Sequence, residues 1–167
     1  GLIEALRERR QASIEKTVFR GLVDSVELRP SEVEWLPDLP ANWNALQLGF
    51  VTETLPGYAF PSEKFSSLPS DVPLLRGINI KPGQIDWTES VFWDPIANPV
   101  SESFALREGD LVLGMDRPYV SGGVRVASIG RDDVPSLLLQ RTLRLRAKPG
   151  GVQGYLRYML MTKAVLA

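Results

Sequence analysis

The sequence of 167 residues contains no cysteine and no histidine. Without cysteine there is no disulfide framework, no thiolate zinc site and no cysteine nucleophile. Such a chain suits a reducing compartment. Without histidine the commonest general base, the serine–histidine triad and nearly all transition-metal sites are lost as well. No uncharged apolar run approaches the ~20 residues of a membrane span. No basic–apolar–small leader opens the chain, so we expect a cytoplasmic location and no membrane contact. A glycine-rich loop ending in Gly-Lys-Ser/Thr is missing, as is a Gly-x-Gly-x-x-Gly turn after a strand. Asn98-Pro99-Val100 lacks the second proline and the aromatic of the tetrad with which amino-methyltransferases grip a flipped base. These absences argue against catalysis by this chain: we expect no catalytic residue, no metal site and no cofactor.

What is present is an ordinary globular composition, 44% hydrophobic and 23% charged, sufficient for one domain with a short appendage. A chain of this size buries roughly two-thirds of its unfolded surface and needs no staple. The net charge of −1 conceals a gradient. Residues 1–23 sum to +2, residues 24–75 to −6, residues 76–116 to −4 and residues 117–167 to +7. Fourteen of the nineteen cations are arginine, the side chain suited to paired contacts with phosphate and guanine. A basic C-terminal third on an acidic body points toward nucleic acid.

Along the chain, the 3.6-residue spacing of Ile3, Leu6, Ile14 and Val18 predicts an amphipathic helix over residues 2–20, its stripe interrupted by Arg10 and its end set by Gly21. One thin stripe on about five turns does not hold a helix by itself, so it needs a partner helix. Residues 24–47, acidic and punctuated by Pro30, Pro37 and Pro40, read as a linker pinned by Trp35 and Trp43. From residue 73 onward the pattern is β. Leu74–Ile80 is followed by a Pro82-Gly83 turn and a return strand from Ile85. Further strands are expected at Leu111–Leu113, Val124–Ile129 and 137–146. In the last, Leu137, Leu139, Leu143 and Leu145 share one face, and Leu138, Gln140, Thr142, Arg144 and Arg146 the other. Residues 152–166 read as a closing helix with Tyr155, Met159 and Leu160 inward. The expected class is α+β: a twisted, mostly antiparallel sheet with a few short helices and a protruding N-terminal amphipathic helix. Its parts are residues 1–23 (helix), 24–47 (linker) and 48–167 (globular domain).

Two carboxylate pairs, Glu108 with Asp110 and Asp132 with Asp133, lie in turn-like sequence, where acids hold loops and face water. More suggestive are polar groups on loops between strands. Asn79 and Lys81 flank the Pro82-Gly83 turn; Arg117, Tyr119 and Ser121 lie in a loop loosened by Gly122 and Gly123; Arg76 adjoins an apolar run. Asparagine pairs with adenine and arginine with guanine, while tyrosine and serine hold phosphate. The plainer reading of the same residues is a set of solvated loop side chains, and of the 140–146 polar face an exposed sheet face.

The ordered motifs resemble one family. Leu2-Ile3-Glu4-Ala5-Leu6-Arg7-Glu8-Arg9-Arg10-Gln11-Ala12-Ser13-Ile14, running to Val18 and Gly21, resembles the conserved spacer helix of type I restriction–modification specificity (S) subunits. Val33-Glu34-Trp35-Leu36 and Leu39-Pro40-Ala41-Asn42-Trp43 are similar to that family's approach to a target-recognition domain. Pro73 to Ile80 with Gly83-Gln84-Ile85-Asp86, Leu106-x-x-Gly109-Asp110-Leu111-Val112-Leu113, and Gly154-Tyr155-Leu156 to Met161 match later pieces in order.

The resemblance implies a non-catalytic subunit that reads double-stranded DNA and directs methyltransferase (M) subunits, and through the complex a restriction (R) subunit. It also implies the end of a spacer helix followed by one recognition domain of a longer chain. Under that reading Asn79, Lys81, Arg117, Tyr119 and Ser121 are expected at bases or phosphates. Arg125, Arg144 and Arg146 would neutralise phosphates, and Ile3, Leu6, Arg10, Ile14 and Val18 would pack on a spacer helix. Two alternatives stay open: the specificity portion of a single-chain restriction–methylation enzyme, and a protein-interaction module docking through the helix and an exposed apolar patch at Trp35 and Trp43.

Overall fold

The computed structural model describes residues 1–23, 25–120 and 123–162. Helix α1 spans Leu2–Arg20, as its periodicity requires. Gly21 ends it at φ +79°, returning its N–H to the Thr17 carbonyl at 3.0 Å. Residues 1–10 are exposed, with Ile3 at 68% and Leu6 at 55%. The helix finds cover only toward its end, where Ile14 is half-buried and Val18 buried. The Tyr155 hydroxyl donates to the Val18 carbonyl at 3.0 Å and fixes that end to the body.

The stretch expected as a linker is instead a β-hairpin. Strands β1 (Leu28–Val33) and β2 (Leu36–Pro40) pair antiparallel, with Leu28 opposite Pro40 and Val33 opposite Leu36. Proline survives here because both strands of a two-stranded ribbon are edges. The tryptophans pin the segment as expected: Trp35 meets Phe19 edge-on at 5.8 Å, and Trp43 meets Tyr155 at 6.5 Å. Arg29 adds a hydrogen bond to the Trp43 carbonyl at 2.7 Å. The short helix α2 (Leu48–Val51) then leads into β3 (Thr52–Pro56).

The remaining strands are short. They are β4 (Val72–Leu75), β5 (Ile80–Lys81), β6 (Gln84–Ile85), β7 (Phe92–Trp93), β8 (Leu111–Gly114), β9 (Tyr119–Val120), β10 (Gly123–Val124), β11 (Val126–Ser128), β12 (Leu137–Leu138) and β13 (Thr142–Ala147). Helix α3 (Gln153–Leu160) closes the described chain. The Pro82-Gly83 turn joins β5 to β6 as expected, with Gly83 at φ +81°. The class is α+β, but the single sheet is replaced by several. The largest is antiparallel, in the order β11-β8-β13-β3; a second, β12-β4-β7, contains a parallel pair, β12 with β4.

Residues 137–146 do not form one strand. The chain breaks at Gln140-Arg141, where Arg141 takes φ +64°. Leu137 and Leu138 join one sheet, while Thr142–Ala147 lies between β8 and β3 in the other. The polar face of β13 is covered: Thr142 and Arg144 are buried. An inner strand covered on both sides has no face left for water.

Apolar packing falls into neighbouring clusters. Leu75, Ile80, Val112 and Leu138 form one, and Leu111, Val124, Leu145, Leu156 and Leu160 a second. Phe60, Leu74, Trp93 and Leu137 form a third. Leu160 points inward as expected, Met159 is half-buried, and Tyr155 is 41% exposed, with its hydroxyl on the Val18 carbonyl and its ring against Trp43. The expected helix residues beyond 162 lie outside the described residues.

The sheets are stitched at Gly57-Tyr58. Gly57 N–H donates to the Thr142 carbonyl at 2.9 Å and Tyr58 N–H to the Leu138 carbonyl at 3.0 Å, while Gln140 N–H donates to the Tyr58 carbonyl at 2.8 Å. A Cβ on Gly57 would lie 2.0 Å from the Leu139 carbonyl oxygen. Backbone there cannot yield without breaking these bonds. Gly57→Ala is therefore expected to destabilise by about 3 kcal/mol or more. Gly49→Ala, whose Cβ meets nothing within 4 Å, should stay within about 0.5 kcal/mol. Urea denaturation of both variants checks the contrast.

Candidate nucleic-acid interface

A groove of about 1130 Å³ opens between the β5–β6 hairpin, the loop after β8 and the turn before β13. Among the described residues five cations line it, Arg76, Lys81, Arg117, Arg125 and Arg141, with Asp116 the one acidic lining residue. The cations come from segments far apart in the chain, and the fold collects them. An open, concave, cationic surface with no clustered metal ligands among the described residues suits a polyanion.

The arginines of the groove divide by what they touch. Arg125 Nε donates to the Ile80 carbonyl at 3.1 Å and Nη1 to the Asp116 carbonyl at 2.5 Å. Its guanidinium lies so close to Gly77 and Gly114 that a Cβ on either would meet it at 3.2 Å. Arg76 Nη2 donates to the Glu89 carbonyl at 2.7 Å. These two are bound to backbone. Lys81 stands 3.8 Å from Asp86, and Arg141 stands 3.3 Å from Asp116, both in exposed pairs that exchange easily with water or a ligand. The hydroxyl and N–H of Thr88 hold the Asp86 carboxyl below its ordinary value, with Lys81 contributing less, so Asp86 stays ionised beside the lysine. Arg117 is exposed at φ +49° and has no hydrogen-bond or ion-pair partner among the described residues. Non-glycine residues in the left-handed region are uncommon and cluster at functional sites, and both such residues among those described, Arg117 and Arg141, line the groove.

Of the residues chosen from sequence, Lys81, Arg117 and Arg125 come together in the groove, and Tyr119 is exposed on adjoining β9. Ser121 lies outside the described residues. Three others are placed elsewhere. Asn79 is 1% exposed, and its amide is spent on backbone: the oxygen accepts from Arg76 N–H at 3.0 Å, and the nitrogen donates to the Asp86 and Glu89 carbonyls at 2.9 and 2.8 Å. It builds the hairpin approach and has nothing left for a base.

Arg144 is buried and donates to the Ser103 carbonyl at 2.7 Å; burial, then the nearby Arg146, lowers its pKa from the ordinary value. Arg146 grips buried Asp110 through both Nε and Nη2, the latter at 2.8 Å, and this bond raises its pKa. Neither faces outward as a phosphate neutraliser. Asp110 also accepts from Arg107 N–H at 2.9 Å, and Asp133 accepts from Gly130 N–H and Trp87 Nε1, each at 2.8 Å. One member of each carboxylate pair, Asp110 and Asp133, holds a turn as expected, but Asp110 is buried on Arg146 and does not face water.

Sequence reasoning missed Arg141, Asp116 and the turn that displays Gln140. One signal was present. In the 137–146 alternation the place between Leu139 and Leu143 falls to Arg141, not to an apolar residue. An apolar cavity of about 570 Å³, lined by Phe19, Trp35, Leu39, Trp43, Leu46 and Tyr155 among others, opens at the hairpin and offers little polar chemistry.

Asp110→Ala would leave Arg146 unpaired beside Arg144 and is expected to cost about 3 kcal/mol. Asp116→Ala breaks only an exposed pair and should cost less than about 1 kcal/mol. Thermal unfolding of the two variants measures the difference.

No family model matches the chain. It is 37% identical over 109 residues to the Escherichia coli type I restriction enzyme EcoAI specificity subunit, covering 65% of this chain and 18% of that protein. It is 26% identical over 163 residues to the type I restriction enzyme MjaVIII specificity subunit of Methanocaldococcus jannaschii, covering 96% of this chain and 37% of that one. The chain thus spans well under half the length of either relative. Among solved structures, the HsdS subunit from Thermoanaerobacter tengcongensis matches with TM-score 0.57 at 19% identity, over 98% of this chain and 37% of that one. A chain from a structure of complex assembly and conformational transition in the type I R-M system matches with TM-score 0.55 at 16% identity, over 95% and 35%. By sequence along nearly its whole length the chain is similar to type I restriction enzyme specificity subunits, and its fold is similar to that of the solved HsdS subunit.

Proposed function

We propose that this chain reads DNA sequence as the target-recognition part of a type I specificity subunit and carries no chemistry of its own. The observation that supports this best is the loop-built groove with five cations and one carboxylate. Phosphate contacts there supply affinity and register, and a few base-edge contacts supply selectivity. Lys81 and Arg117 are the cations least committed to the protein itself. Tyr119 adjoins them and serves the same backbone. Arg125 acts by holding the groove's loops together, and Asn79, Arg144 and Arg146 act within the fold.

On this reading residues 1–23 are the end of a spacer helix, whose exposed Ile3 and Leu6 await a partner helix. Residues 24–47 are the clip that sets the helix on the body, and residues 48–167 are the recognition domain. Methylation and cleavage belong to the methyltransferase and restriction subunits that the assembled protein directs, and the recognition step needs no cofactor.

The test uses the full-length subunit assembled with its methyltransferase subunits. Lys81→Glu with Arg117→Glu is expected to abolish site-specific methylation while assembly, followed by size-exclusion chromatography, stays intact. Measured against salt, log affinity should fall by about 0.9 for each phosphate contact per log unit, and loss of two contacts should flatten the slope by ~2. Unchanged methylation contradicts the proposal.

A further inference from the structure

We propose that Gln140 and Arg141, on the turn between β12 and β13, are the side chains that read base edges, Arg141 facing guanine and Gln140 facing adenine. This inference rests on the DNA-reading function proposed above and deepens it. Its basis is how the turn is held. Gln140 N–H donates to the Tyr58 carbonyl at 2.8 Å, and the Arg141 carbonyl accepts from Met115 N–H at 2.9 Å. On the flanks, Leu139 N–H donates to the Leu75 carbonyl at 3.1 Å, and the Thr142 carbonyl accepts from Gly57 N–H at 2.9 Å. Four bonds to three different segments fix the two-residue turn and its flanks before any ligand arrives. A base-reading pair needs this kind of rigid mounting, because a flexible one loses its selectivity to the cost of ordering.

Both side chains are exposed and both line the groove. The left-handed backbone at Arg141, φ +64°, keeps the strand from continuing and sets two successive polar residues out of the sheet. The Gln140 amide has no hydrogen-bond partner among the described residues, so both its donor and its acceptor are available. Glutamine matches adenine N6 and N7 with that pair. Arg141 carries the fork that matches guanine O6 and N7, and its present partner, Asp116, is an exposed carboxylate that a base edge can replace.

The other cations of the groove are less suited to reading. Arg125 and Arg76 are occupied by carbonyls. Lys81 is a point charge without paired geometry. Arg117 has the right head group but no comparable backbone mounting: of its neighbours, Pro118 accepts from Arg125 N–H at 2.7 Å, and Arg117's own backbone enters none of the turn or loop hydrogen bonds described.

The experiment compares Gln140→Ala, Arg141→Ala and the double Lys81→Glu, Arg117→Glu variant in the full-length subunit assembled with its methyltransferase subunits. The readout is the set of sites methylated across a randomised duplex library, with thermal melting as a check that each variant folds. Gln140→Ala should relax discrimination about tenfold at a single A·T position, and Arg141→Ala about tenfold at a single G·C position, in the same half-site. Gln140→Asn tests reach, and should leave discrimination weakened at that same position.

Uniform weakening across all sites would make these residues phosphate contacts and overturn the inference. An unchanged profile for both alanine variants, with methylation lost in the double charge reversal, would place the readers elsewhere in a groove that still binds DNA. An unchanged profile for all three would remove the groove from DNA recognition, and the proposed function with it.

Discussion

Arg125 sits with its guanidinium over Gly77 and Gly114 and donates to the carbonyls of Ile80 and Asp116, so one side chain holds the β5–β6 hairpin against the loop after β8. Its own backbone closes the arrangement, with N–H to the Pro118 carbonyl and carbonyl to Gly114 N–H. Loops of this composition would otherwise be solvated independently. A guanidinium suits the task because its planar fork reaches two carbonyls at once and stays charged at any physiological pH. The two glycines make room for it. The rest of the groove follows: Lys81 and Arg117 face the same space only because the segments carrying them are tied together.

Charge is sorted in the same way throughout the basic C-terminal third. Arg144 and Arg146 are consumed inside, one on the Ser103 carbonyl and one on Asp110. Arg117 and Arg141 are displayed outside on left-handed backbone. A net charge of +7 over residues 117–167 therefore overstates what a ligand meets. What a ligand meets, among the described residues, is a smaller set of cations brought in from three distant segments and balanced by a single carboxylate. For a polyanion reader this division is useful, since phosphate attraction that is too strong binds every sequence alike.

How much was legible in the sequence depended on which signals are local. Helix α1, its glycine stop and the Pro82-Gly83 turn were legible, because periodicity and backbone preference decide them over a few residues. The α+β class followed from the same cues, and so did the strand at Leu111–Leu113, which the structure extends by one residue to Gly114. The hairpin at residues 28–40 was hidden by its prolines, which mark a linker unless both strands are edges. Arg144 and Arg146 were misplaced because alternation tells which residues share a face and not whether that face is covered. Asn79 was misplaced for a related reason: the amide that could pair with adenine is equally able to pair with backbone, and burial decides between them. The Gln140-Arg141 turn was overlooked because the leucines around it alternate in phase across the break.

The central claim is that this groove is where duplex DNA lies. Photo-crosslinking the full-length subunit, assembled with its methyltransferase, to a cognate duplex substituted with 5-iodouracil tests it directly. The account predicts adducts in the peptides carrying residues 76–81, 116–120 and 139–142. Adducts confined to another face, with these three segments unmodified, would contradict it.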